Sequence, residues 1–158
     1  MYHDKKFGPL PGVFRPSSLE EMRANYHQRR AGQGFAKLAN EAHLLTIWDD
    51  HDFGLNDADG RLPFKEESRR LFLEFAEEPS DSPRWKNNGI FSSYSFDQGK
   101  IKIILLDVRF NRSDADVLGE QQWTWLEHEL ADASAELKFL VSPIQGEKKV
   151  VFFCCLLL

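Results

Sequence analysis

The sequence predicts an α/β fold in which helices cover a layered sheet. Three observations carry this. Apolar runs of strand length, HLLTIW (43–48), IKIILL (101–106) and LKFLV (137–141), alternate with segments whose apolar residues recur at helical spacing. Each of those runs is followed at once by a polar cluster, and in open α/β sheets the ligand-binding groups collect past the carboxyl ends of strands. Thirteen Phe and four Trp among 158 residues, of which 42 % are apolar, supply enough apolar surface for one packed domain.

Taken in order, residues 1–16 hold three prolines and two glycines and read as a loop. Ser17 or Ser18 is placed to cap a helix, with Glu20 and Glu21 three residues further on completing a capping box. That helix runs to about Arg30, where Ala31-Gly32 ends it, and a shorter one covers 35–40. The strand 43–48 comes next. Pro63 can open the following helix in its first turn. Phe64, Leu71, Phe72 and Phe75 fall on one face of it, with Glu66 and Arg70 as an i,i+4 pair outside. The helix should stop near Pro79, and EPSDSP makes a turn. A strand over 90–96, a tight turn at Asp97–Lys100 and the strand 101–106 form a hairpin. A helix over 119–133, with Trp123, Leu126 and Leu130 inward, leads to the last strand, 137–141. There is no internal repeat and no low-complexity linker.

The formal charge is −5, with 25 acids against 20 bases, which disfavours a general nucleic-acid surface because phosphates require a basic footprint. The only cysteines, Cys154 and Cys155, are adjacent and give neither a disulfide framework nor zinc spacing. Residues 1–15 lack the apolar run of a signal peptide. The longest apolar run, 150–158, is about half a membrane span. Residues 147–158 have no amphipathic period and no cap. They are expected to lie outside the fold proper, with a final buried strand as the alternative.

Three clusters follow strand ends: Trp48–Asp57, Asp107–Arg112 and Ser142–Gln145. The first begins a stretch with five aspartates in twelve residues, 49–60. Asp49, Asp50 and Asp52 would repel one another unless neutralised. A hard cation such as calcium, magnesium, manganese or ferric iron would remove that repulsion through carboxylate and amide oxygens. His51 adds a nitrogen able to bind metal or move a proton near neutral pH. A metal can polarise a phosphoryl oxygen and lower the pKa of bound water, and a neighbouring histidine can protonate a leaving alkoxide. The competing structural reading is that these aspartates make turns and caps. Residues 55–66 also approximate a twelve-residue calcium loop, but position one is Leu55, Pro63 interrupts it, and the preceding segment reads as a strand rather than a helix. In the second cluster Arg109 and Arg112 suit bidentate phosphate contacts, with Asp107 orienting Arg109; a buried Asp–Arg pair is the alternative. Gln145 could orient a substrate. Trp123, Trp125 and His128 read as core packing and a surface histidine.

WDDHDFGLNDADG resembles the WDDH(D/E) signature of the PhoD-like metallophosphatases, the alkaline phosphatase D group of the calcineurin-like phosphoesterase superfamily. PFKEESRRLFLEFAEEPSDSPR, ILLDVRFNR, LGEQQWTWLEHEL and the strand ending in SPIQ follow in that family's order, so the resemblance covers about residues 18–145. It implies a layered α/β sandwich around a di-metal centre of iron and calcium that hydrolyses phosphomonoesters and phosphodiesters at alkaline pH. It implies Asp49, Asp50 and Asn56 as metal-site residues, His51 in proton transfer and Arg109 as a phosphate contact. Met1-Tyr2-His3-Asp4 resembles the end of the family's GDxxY element, which makes Tyr2 a metal-site candidate. The Gly-Asp of that element and a later histidine-bearing segment are not matched. The expectation is therefore a partial domain over residues 1–146, and the alternative is a non-catalytic or weakly cation-binding protein.

Overall fold

A computed structural model describes residues 5–6, 14–15 and 17–144. The chain mixes helices and strands, as expected, around a three-stranded sheet. A two-residue antiparallel ladder, β1 (Lys5–Lys6) with β2 (Phe14–Arg15), lies where only loop was predicted. Tyr2, Gln145 and the apolar tail lie outside the described residues.

Helix α1 (Leu19–Ala31) starts at Ser18. Its hydroxyl accepts from Glu21 N at 3.2 Å while Ser18 N donates to the Glu21 carboxylate at 3.0 Å, so the capping box is formed by Ser18 rather than Ser17. Helix α2 (Gln33–Glu41) follows after Gly32. Helix α4 (Lys65–Phe75) starts two residues after Pro63 and buries Leu71, Phe72 and Leu73 against α1, where the Tyr26 ring stacks on Phe75 with centroids 4.7 Å apart. The outward pair on α4 joins Glu66 to Arg69, not Arg70, at 3.2 Å. Arg69 is favoured because its guanidinium is also held by the carbonyls of Arg84, Trp85 and Asn87.

The sheet has the order β3 (Ser92–Phe96), β4 (Ile101–Leu105), β5 (Leu137–Val141). β3 and β4 form the expected antiparallel hairpin, with Ser92 opposite Leu105 and Phe96 opposite Ile101. Asp97, Gln98 and Gly99 turn it with positive φ. β4 and β5 are parallel, joined through helix α5 (Glu120–Ala131). β4 is the central strand, and Ile104, Leu106 and Val108 pack against Leu118 and Leu126 beneath α5. A larger core holds Trp48, Phe53 and Phe110 with residues of α1 and α4. On α5 the inward set is Gln122 and Leu126, whereas Trp123, predicted inside, is 46 % exposed and donates its indole N–H to Asp116. Gln122 takes the buried position because its amide finds main-chain partners there.

The predicted strand 43–48 is the main correction. The segment is extended and half-buried, and among the described residues it forms no ladder. An apolar run favours burial without itself supplying a neighbouring strand. Side chains hold the segment instead: the buried Arg84 guanidinium donates to Thr46 O at 3.0 Å and to Ile90 O at 2.9 Å, and Trp48 Nε1 donates to Asp107 Oδ1 at 2.9 Å. Among the described residues no helix is long and apolar enough to cross a membrane.

Candidate functional site

The site is built where the extended segment ends. Trp48 is fully buried, with its ring 4.9 Å from that of Phe53 and 5.2 Å from that of Phe72. The chain then makes a single helical turn, α3 (Asp50–Phe53), capped by reciprocal bonds between Asp49 and Asp52. Phe53 N donates to Asp49 O at 2.8 Å, and Gly54, at φ +149, ends the turn in a conformation that side chains rarely adopt. Asp50 then closes the following loop. Its Oδ1 accepts from His51 N at 2.8 Å and its Oδ2 from Asp57 N at 2.8 Å, across seven residues. Asp57 has a left-handed φ of +56, and Asn56 Nδ2 donates to its carboxylate at 2.7 Å.

The second cluster arrives from the end of β4. Asp107 is fully buried and folds the turn after the strand, accepting from the N–H groups of Arg109 at 2.9 Å and Phe110 at 3.0 Å. Arg109, 4 % exposed, points its guanidinium at the first cluster. Nε and Nη2 lie 2.8 Å and 2.6 Å from Asp49 Oδ1, and Nη2 is 3.8 Å from Asp50 Oδ2. Nη1 reaches Ala58 O at 3.4 Å. Gly60 N donates to Arg112 O at 2.9 Å, stitching the two loops together, and the Gly60 Cα lies so close to that backbone that a Cβ would meet Arg112 O at 2.9 Å.

Two of the three predicted clusters therefore converge. Asp49, Asp50 and Arg109 meet; His51 lies in the turn α3 and Asn56 in the loop after it; Arg112 contributes its carbonyl. In the third cluster Ser142 Oγ donates to Ile144 O at 2.9 Å. Asp107 meets Arg109 only through the Arg109 main-chain N–H, and the guanidinium is held by Asp49 rather than by Asp107. The calcium-loop reading fares poorly, since Asp59 chelates Arg61 at 2.5 Å and Glu66 is paired on α4. Sequence reasoning missed Gln122 and Gly89, both of which touch Asp107. Spacing pointed to the first, because Gln122 and Leu126 stand at i,i+4 on one helix face.

The electrostatics follow from these contacts. Partial burial pushes the Asp50 carboxyl up, but the N–H groups of Asp57 and His51, with the Arg109 guanidinium, outweigh it and hold Asp50 below its ordinary value. Burial raises Asp52, and the Asp49 charge adds to that effect. Two carboxylates facing one guanidinium form a site with excess negative charge, in which Arg109 stands where a cation would. That donor chemistry suits a hard metal ion in part. Among the described residues no third carboxylate, imidazole or thiolate joins them in a metal-holding group. No family model, curated protein or solved structure matches the chain.

Proposed function

We propose that the Asp49–Asp50–Arg109 cluster belongs to a metal-dependent phosphoester hydrolase of the PhoD-like kind, built on a layered α/β sandwich with small-molecule phosphoesters as substrates. The observation that carries this reading is the convergence itself. Paired carboxylates and a buried arginine, sixty residues apart in sequence, meet past the end of the central strand β4. Asp49 and Asp50, with Asn56 and Tyr2, would hold the metal ions, for which the family resemblance implies iron and calcium. Such ions supply Lewis acidity and an activated water. Arg109 gives the site a phosphate-binding fork once its bonds to Asp49 are shared with substrate oxygens. His51, beside the carboxylates, delivers a proton to the leaving alkoxide.

A second reading, cation binding without turnover, is favoured by one feature. Both oxygens of Asp50 already accept backbone N–H bonds, and Asp49 already holds Arg109. One assay separates the two: hydrolysis of p-nitrophenyl phosphate and bis-p-nitrophenyl phosphate by the full chain at alkaline pH, with calcium and ferric iron supplied. Turnover that disappears in the Asp49→Ala/Asp50→Ala variant supports the hydrolase. Calcium binding without turnover supports the second reading, and turnover that survives the double substitution rules out the proposed site.

A further inference from the structure

We propose that Asp107 is a positioning residue for the Asp49–Asp50–Arg109 cluster, an inference that rests on the phosphoester reading of that cluster. Its carboxylate is fully buried and accepts four N–H groups. Oδ1 takes Trp48 Nε1 at 2.9 Å, Arg109 N at 2.9 Å and Phe110 N at 3.0 Å, and Oδ2 takes Ile90 N at 2.9 Å. Those donors come from three separate segments. Trp48 immediately precedes Asp49, so the indole bond fixes where the cluster's first carboxylate stands. The Arg109 N–H bond fixes the backbone from which the guanidinium extends. Both members of the central ion pair are thus referred to one carboxylate, itself fully buried.

The rest of the surroundings hold that carboxylate still. Gln122, itself fully buried, accepts from Asp107 N at 2.8 Å and donates to Asp107 O at 2.7 Å, and also donates to Leu118 O at 3.2 Å. Gly89, at φ +130, lets the chain pass so close that a Cβ there would lie 2.8 Å from Asp107 Oδ2. A buried carboxylate surrounded by donors at this density fixes geometry rather than adjusting to it. Shifts of a fraction of an ångström between Asp49 and Arg109 would alter the separation at which the cluster receives a cation or a phosphate.

The test uses the full chain labelled with ¹⁵N. The guanidinium Nε–H of Arg109, donated to Asp49 at 2.8 Å, should give a resonance protected from solvent exchange, assigned by its loss in Arg109→Lys. Asp107→Asn keeps the size and removes the charge; Trp48→Phe removes one donor and keeps an aromatic ring. In folded protein both should accelerate exchange of that Nε–H at least about tenfold and weaken binding of Mn²⁺ alone and of inorganic phosphate by about ten- to a hundredfold. Lys102→Met, a remote destabilising substitution at the Glu129–Asp132 ion cluster, should leave the resonance and both affinities unchanged. If Asp107→Asn does not fold, Trp48→Phe decides. Wild-type exchange and wild-type affinities in folded variants overturn the proposal. A resonance that responds to Asp107 in a protein that binds neither Mn²⁺ nor phosphate overturns the phosphoester reading while leaving the positioning of Arg109 by Asp107 in place.

Discussion

Replacing Arg84 by methionine tests what holds the segment leading into Asp49. Methionine keeps much of the apolar stem, so the loss is polar. Arg84 is 2 % exposed, and its guanidinium meets Glu78 Oε2 at 2.7 Å, Ile90 O at 2.9 Å and Thr46 O at 3.0 Å. Substitution leaves the buried Glu78 carboxylate without the guanidinium, still accepting from Ser82 Oγ at 2.5 Å, and leaves two carbonyls without this donor. Removing one member of a buried ion pair costs about 3–5 kcal/mol. Each abandoned carbonyl adds roughly 1 kcal/mol. A loss of about 5–7 kcal/mol is comparable with the whole stability of many domains of this size. The double variant Arg84→Met/Glu78→Gln removes the stranded charge and should recover about half of that loss. Urea unfolding followed by circular dichroism, analysed as a double-mutant cycle, gives both numbers. The reasoning is refuted if the single substitution costs less than about 1 kcal/mol, or if the double variant is no more stable than the single one.

Other outcomes follow from the same structure. The Asp132 carboxyl is held far below its ordinary value by hydrogen bonds from the Lys102 ammonium and from Ser134. A depressed folded value contributes stability above the unfolded pKa of about 3.9 and loses it as the pH falls toward the folded value. Urea midpoints of Asp132→Asn should therefore decline less steeply below about pH 4 than those of the wild type, and identical slopes would exclude the effect. Gly60→Ala places a Cβ 2.9 Å from Arg112 O and 3.0 Å from Phe110 O, both backbone, so a loss of about 1–3 kcal/mol is expected in thermal unfolding. Ser18→Ala removes the cap of α1 and should cost about 1 kcal/mol in the same assay, whereas Ser17→Ala should not reproduce that cap loss.

Local signals in the sequence translated well. Ser18 and Glu21 announced the start of α1, the apolar spacing placed α5 and the start of α4 within two residues, and the Asp97–Lys100 turn marked the hairpin, whereas α4 stops at Phe75, well short of Pro79. The convergence of Asp49 and Asp50 with Arg109 was legible to the extent that each cluster directly follows an apolar run. What escaped is non-local. Arg84 reads as a surface residue in a Pro- and Ser-rich turn, yet it is buried, because Glu78 and Ile90 on either side of the turn and Thr46, 38 residues away, supply acceptors that converge on it. Trp123 reads as core, yet the helix turns Gln122 inward, where its amide bonds the main chain of Asp107. The run 43–48 has strand composition, but pairing depends on a neighbour, and composition carries no information about neighbours.

The close approaches at Gly89 and Gly60 also bear on how the molecule ages. Asn88–Gly89 and Asp59–Gly60 are junctions of the type most prone to succinimide formation, in which the glycine nitrogen attacks the preceding side chain. Here Gly60 N is engaged by Arg112 O, and Asn88 is gripped through its N–H by Gln121 and through its carbonyl by Asn111. Ring closure at Gly60 therefore requires the two loops to part first, and at Asn88 it requires the contacts to Gln121 and Asn111 to loosen. The rate at which isoaspartate accumulates at these positions on storage would act as a slow chemical clock of how often the loops around the carboxylate cluster come undone.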